Sequence, residues 1–331
     1  MEGSRLKIIS LFNNKGGVGK TTYLYHVAHI LAEKYKVLVV DCDSQCNISS
    51  YFLYDNEIEK EWKEKGRSIY RIVEDLVEQI GDFKRREPLN LKENLYLVPG
   101  DIEFALFEDS LANTWITARG GQQAGLRLQS AIYRYIKWLS EEKNHNFDIV
   151  LLDLGPNLGS LNRSLLMSSD YFIVPVAPDL FSIRGTENLG KRISEWSQEW
   201  EQTQQYINKI SFAIPKGKPQ FLGYVAQNHN SRQNGNKEMT QGWNIFGSKL
   251  EESIFKNIVE KLKPLNQVFE KKDQYKISQT PNLNSLIPYS MNARKPIFNC
   301  GSSDGLKGAH ISAAKDTKNH FIPILEYIDL I

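Results

Sequence analysis

An α/β fold, with a twisted and mostly parallel sheet covered by helices on both faces, is predicted for this chain of 331 residues by three observations. Short apolar runs alternate with stretches of helical periodicity along the whole chain. Two of the runs, Lys36–Asp41 and Phe147–Asp153, are apolar without alternation, as strands buried on both faces must be. Both close on a carboxylate, at the strand end where open α/β sheets place their ligand-binding groups.

The first run, Ile8–Leu11, leads into Phe12–Thr22, which holds Gly16, Gly17, Val18 and Gly19 and then Lys20, Thr21 and Thr22. Strand, glycine-rich turn and helix in that order make a phosphate-binding loop, because backbone N–H groups converge on anionic oxygens at a positively polarised helix N-terminus. Lys20 then reaches the terminal phosphates, and Thr21 offers its hydroxyl to Mg2+. The strict spacing G-x-x-x-x-G-K-[ST] fails, since Asn14 stands where its first glycine belongs and Lys15 stands beside it. Thr22–Lys34 carries Leu24, Val27, Ala28, Ile30 and Leu31 as a helical stripe. Beyond the strand Lys36–Asp41 comes a loop, Asp41–Asn47, and Ser68–Ile80 is predicted as an amphipathic helix capped by Ser68. Leu95–Gly100 reads as a strand and turn, Asp101–Leu111 as a helix, 119–125 as a loop and Leu126–Glu142 as a second helix. After Phe147–Asp153 and its turn, Tyr171–Val176 is a strand, Ile183–Gln205 a long polar helix and Phe221–Ala226 a strand. Lys216–Pro219 and Asn228–Gly242 are read as loops. A helix around 247–263, a short strand near Leu286–Ile287 and helical chain from about Asp304 complete the prediction.

No composition break or repeat divides the sequence, so one domain over residues 1–331, with insertions at about 54–94, 112–127 and 213–245, is the simpler organisation. The net charge of +2 is the sum of −4 over residues 1–190 and +6 over 191–331, which admits a basic face on the C-terminal part. Cys42, Cys46 and Cys300 make neither a disulfide framework nor a metal site, and His26 and His29 are read as structural. A nucleotide loop at the N-terminus leaves no room for a signal peptide, so a cytoplasmic location is expected. No apolar run approaches the ~20 residues of a membrane-spanning helix.

Taken in order, the motifs resemble those of a ParA/Soj-type partition ATPase of the ParA/MinD superfamily, over nearly the whole chain. Lys15–Thr21 matches the deviant Walker A pattern K-G-G-x-G-K-[ST]. Asp41–Asn47 resembles the Walker A′ segment D-x-D-P-Q-x-N, and Leu95–Gly100 the strand L-x-L-[IV]-P-[SG]. Ile149–Gly159 resembles the Walker B run, and Tyr171–Gly185 the switch segment that follows it. The resemblance implies a P-loop NTPase fold binding ATP and Mg2+, with nucleotide held by Gly16, Gly17, Val18, Gly19, Lys20, Thr21 and Thr22. Asp153, with Thr21, is expected to serve the metal, Asp43 to orient or activate the attacking water, and Asp41 to support metal-bound waters. Lys15 is the signature lysine, implied to cross to a partner subunit's phosphates in an ATP-dependent sandwich homodimer. Asn228 and Pro288 are the implied contacts to the adenine, although Gln227 fits the spacing as well as Asn228. Ser44, Cys46 and Gly155 depart from the family pattern, which puts the hydrolysis rate in question.

The leading expectation is therefore an ATPase that dimerises with ATP and binds DNA without sequence preference for plasmid or chromosome partition, with a ParB-like or other adaptor. Lys191, Arg192, Lys216, Lys218, Arg232, Lys261, Lys263, Lys271, Lys272, Arg294 and Lys295 are the candidate phosphate contacts. A second expectation keeps the ATPase and changes the cargo to a protein complex of a mobile-element or defence system. A MinD-like membrane role needs a basic amphipathic C-terminal helix, but His320–Ile331 has no lysine or arginine, so no membrane partner is expected.

Overall fold

A computed structural model describes residues 6–331 apart from 121, 144, 178, 207–209, 230–246, 272–274 and 284. The apolar runs become strands β1 (Lys7–Leu11), β2 (Val37–Cys42), β5 (Ile149–Leu154), β6 (Tyr171–Val176) and β7 (Gln220–His229). A hairpin, β3 (Leu89–Lys92) and β4 (Leu95–Val98), and a last strand, β8 (Lys276–Pro281), complete one eight-stranded sheet in the order β3-β4-β2-β5-β1-β6-β7-β8. Every pairing is parallel except β3 with β4 at the edge. The predicted P-loop NTPase architecture is thus the one observed.

Alternation along the strands divides the core. Ile8, Leu38, Val40, Val150 and Leu152 face one layer, which holds α4 (Ile69–Val77), α8 (Ala131–Glu141), α9 (Ser160–Met167) and α10 (Leu180–Tyr206). Ile9, Leu11, Val37, Val39, Ile149 and Leu151 face the other, built from α1 (Lys20–Leu31), α2 (Asn47–Phe52) and the C-terminal helices. Both layers are apolar because each strand of a parallel sheet is covered twice.

Ser68 does cap α4, its hydroxyl accepting the Arg71 N–H and donating to Asp101 Oδ2 at 2.5 Å. Three expectations need correction. The predicted helix Leu126–Glu142 is two helices, α7 (Gln123–Gln129) and α8, broken at Ser130, so α7 begins inside the predicted loop. The apolar pair Leu286–Ile287 is not a strand; it opens the helix Ile287–Ala293, where Pro288 supplies the fixed φ suited to a first turn. The last strand is β8 instead, a mixed apolar and polar run ending in proline at the sheet edge. Insertion 54–94 contributes α3 (Asp55–Glu61), α4 and β3, and 112–127 contributes α6 (Thr114–Arg119). Of 213–245, residues 213–229 are described and include β7, and 230–245 lie outside the described residues.

Candidate nucleotide-binding site

β1 lies between β5 and β6, so the loop after β1 emerges beside Asp153 on one side and the segment after Val176 on the other. Gly17 (φ 72°) and Gly19 (φ 78°) take left-handed conformations that only glycine adopts cheaply. Gly19 is the N-cap of α1 and contributes no side-chain cap, and the first turn holds no acid, so the helix presents its positive end uncompensated. Asn13 fastens the loop from below: its side-chain amide donates to Pro175 O at 2.7 Å and its Oδ1 accepts the Lys15 N–H at 2.9 Å. Asn14 fills space that Gly185 of α10 leaves open, its Oδ1 standing 3.0 Å from where a Cβ on Gly185 would sit.

Lys20 is buried, and burial lowers its pKa while Asp153 and then Asp43 raise it. The Thr21 hydroxyl donates to Asp153 Oδ2 at 2.9 Å. The other oxygen of Asp153 is buried and has no hydrogen-bond partner. Burial, reinforced by the Asp41 charge, pushes the Asp153 carboxyl up to about 8. Asp41 and Asp153 face one another in register on β2 and β5, two carboxyls in one apolar layer. A cation there would relieve both the desolvation and the mutual repulsion. The donor set of Thr21 hydroxyl and Asp153 carboxylate fits Mg2+, which takes few protein oxygens and leaves the rest to phosphate and water. No three His, Cys, Asp or Glu residues form a metal cage among the described residues.

The acids of the Asp41–Asn47 loop separate in space. Asp43 lines the pocket, one oxygen accepting the Gln45 N–H at 3.0 Å. Asp41 turns inward: Oδ2 accepts from the Ser49 N–H and hydroxyl at 3.0 and 2.6 Å, and Oδ1 accepts the Asp43 N–H at 3.2 Å. Its carboxyl is pushed up to about 7, chiefly by burial, against the pull of Ser49. Asp41 therefore holds the loop, while Asp43 meets the pocket. Cys46, in place of the family's usual glycine, keeps the left-handed backbone at φ 53° as N-cap of α2.

The cavity over the loop encloses about 370 Å³, with Gly16, Gly17, Gly19, Lys20, Thr21, Thr22 and Asp43 on one side. Val18 is buried beneath it. The other side is Gln227, Pro281, Leu283 and Ile287, an apolar wall with one amide. Gln227 is buried, its Nε2 has no partner, and its Oε1 lies 3.1 Å from a Cβ built on Gly19. Tyr51 closes a further side, with 2.9 Å between its hydroxyl and that of Thr22. Pro288 is exposed in the helix whose first residue, Ile287, reaches the pocket instead. The side chain of Asn228 lies outside the described residues. Lys15 pairs with Asp179 of its own chain, with the Phe181 ring 5.8 Å from its ammonium.

Sequence reasoning missed Tyr51, Leu283 and Asp179, and it left Gln227 and Asn228 as alternatives. Asp179 lies within the switch segment Tyr171–Gly185, and strand alternation, which points only one of two adjacent residues at a given face, bears on the choice between Gln227 and Asn228. Tyr51 carried no signal.

A glycine cradle, buried lysine, threonine and carboxylate at the C-terminal edge of a parallel sheet define a P-loop nucleotide-binding protein. The AAA domain family matches residues 6–206, and the chain belongs to it as a ParA/MinD-type P-loop ATPase. It is 30% identical over 237 residues to a putative replication protein A of Rhizobium rhizogenes, covering 67% of this chain and 55% of that one. To the sporulation initiation inhibitor protein Soj of Bacillus subtilis it is 32% identical over 184 residues, 55% of this chain and 63% of Soj. The chain thus spans between half and two thirds of the length of these curated relatives. An ATP complex of a McdA variant from Cyanothece shares the fold, with a TM-score of 0.64 at 14% identity, covering 99% of this chain and 98% of that one.

Proposed function

We propose that this chain binds ATP with Mg2+, hydrolyses the nucleotide and dimerises while it is bound, as a partition-type switch in the cytoplasm. The observation that carries the reading is the convergence of Lys20, Thr21 and Asp153 under a glycine cradle, with one buried Asp153 oxygen left for a cation. That the McdA variant was solved as an ATP complex supports the choice of nucleotide.

Phosphoryl transfer asks mainly for position and charge. Lys20 and the amides around Gly17 and Gly19 hold the β- and γ-phosphates. Thr21 and Asp153 hold the metal, which supplies neutralisation of charge on the phosphate oxygens. Asp43 is the carboxylate placed to orient a water and take its proton. Asp41 acts one step removed, by fixing the loop that carries Asp43. Gln227, Pro281, Leu283 and Ile287 form the base end. Lys15, held by Asp179 within one chain, exchanges that carboxylate for a partner subunit's phosphate, which makes association depend on nucleotide.

Lys20→Ala should abolish ATP binding, read by fluorescent-nucleotide titration. Lys15→Ala should bind ATP yet stay monomeric by light scattering; a dimer unchanged from wild type would remove the trans role. Asp43→Ala should bind ATP with a turnover lower by on the order of 100-fold, and wild-type turnover would assign the water to another group.

For the cargo, one observation favours a protein complex over DNA. Most candidate phosphate contacts are paired: Lys191 and Arg192 with Glu195, Lys218 with Glu201, Lys263 with Glu270, Lys271 with Glu326 and Lys295 with Asp304. Arg294 lies over the Tyr54 ring, and Arg232 and Lys272 fall outside the described residues. Lys216 and Lys261 remain without an ion pair among the described residues. DNA partition with an adaptor stays the leading reading through the family. Gel shift with ATP and Mg2+ at low salt tests it, and an absence of affinity there would shift the cargo to protein. No helix among the described residues is long and apolar enough to cross a membrane.

A further inference from the structure

A second cavity, of about 650 Å³, lies between the β7–β8 edge and the helical segment 247–262, and shares no residue with the nucleotide pocket. Its walls are aromatic and its charge is mainly negative. Tyr224 and Tyr275 are buried, while Phe255 is 50% exposed. Glu251 and Glu252 stand at the same cavity, and neither has an ion-pair partner among the described residues. The Tyr224 hydroxyl donates to Glu251 Oε1 at 2.8 Å, which fixes that carboxylate against the ring and leaves its second oxygen free of that bond. Lys276 also lines the space, but its ammonium is drawn along its own strand to Gln279 Oε1 at 2.8 Å. Phe255 begins a π-helical turn, Phe255–Val259, a local widening of a helix that is frequent at functional sites.

Aromatic faces attract cations through their quadrupole, and a carboxylate beside them supplies the countercharge. A planar guanidinium satisfies both demands at once, stacking on a ring while donating two parallel N–H groups to a carboxylate. An apolar ligand would leave Glu251 and Glu252 unpaired on being covered, which disfavours it. We propose that this cavity receives an arginine side chain from a partner protein. The site goes beyond the nucleotide reading and does not depend on it.

The test is a methyl NMR titration of the full chain, following the Ile254 methyl group, which lies on the cavity wall. The probes are N-acetyl-arginine methylamide, its neutral citrulline counterpart of the same shape, and the lysine analogue. The arginine probe should shift Ile254 saturably, and citrulline should bind at least about tenfold more weakly. Glu252→Gln and Phe255→Ala, both at exposed side chains, should each weaken the arginine probe by about tenfold and leave distant methyl signals in place. No saturable shift, equal binding of citrulline, or variants that bind as wild type would overturn the site. Tighter binding of the lysine analogue would overturn the assignment to arginine.

Discussion

His26 shows how one buried side chain ties the nucleotide loop to the rest of the chain. Its Nδ1 is 2.6 Å from Thr22 O and its Nε2 accepts the Ile297 N–H at 3.1 Å, so the proton sits on Nδ1 and the ring is neutral. Phe321 stacks on it with centroids 4.6 Å apart. Burial lowers its pKa from 6.5 to about 4. The folded state therefore binds fewer protons than the unfolded chain between those values, and stability falls as pH drops from about 6.5 towards 4. Imidazole NMR signals of His26 should stay in the neutral form through pH 5; protonation near pH 6.5 would refute the assignment. Gly19 makes a second prediction at this scale. Gly19→Ala combines a left-handed backbone with a Cβ 3.1 Å from Gln227, and should impair nucleotide binding more than Gly16→Ala, which meets open space. Nucleotide titration of the two variants checks the order.

Among the elements, α10 is the connection between the switch segment and the helix that walls the second cavity. It starts one residue after Asp179, the partner of Lys15, and crosses the segment 247–262 at Gly190. A Cβ on Gly190 would lie 2.0 Å from Asn257 O, so the two backbones touch. Thr186 hydrogen-bonds across the same crossing to Ser253, with 2.7 Å between the hydroxyls, and its hydroxyl accepts from the Asn257 side-chain amide at 3.3 Å. Gly190→Ala should destabilise the protein by about 1–3 kcal/mol, measured by urea denaturation. An unchanged midpoint would mean that the helices can part at no cost. The strands that carry the site were legible because double burial demands a continuous apolar run. β8 was not, because an edge strand tolerates polar residues and a proline. The break at Ser130 was equally hidden, since apolar periodicity continues across it from Leu128 to Ile132.

For the whole molecule, both apolar layers pack on one sheet, and we propose that the chain unfolds as a single domain. Thermal denaturation should give one cooperative transition, raised by ATP and Mg2+ because a ligand bound only to the folded state stabilises it by mass action. Two separated transitions, with only one moved by nucleotide, would argue for two domains. The sequence by itself determined the inner strands of the sheet, the phosphate loop and the family, because each rests on local demands: glycine at positive φ, lysine and threonine at fixed spacing, apolar runs ending in acids. The motif resemblance implied roles at the water and the metal for Asp43 and Asp41, but the chain alone could not show that the two, chemically alike and two residues apart, separate in space. Only the tertiary structure did so, by burying Asp41 against Ser49 and leaving Asp43 at the pocket. Burial and hydrogen-bond partners depend on which distant segments the fold brings near, and the same holds for Lys15 against Asp179, Gln227 over Gly19, and the acidic aromatic cavity on the far strands.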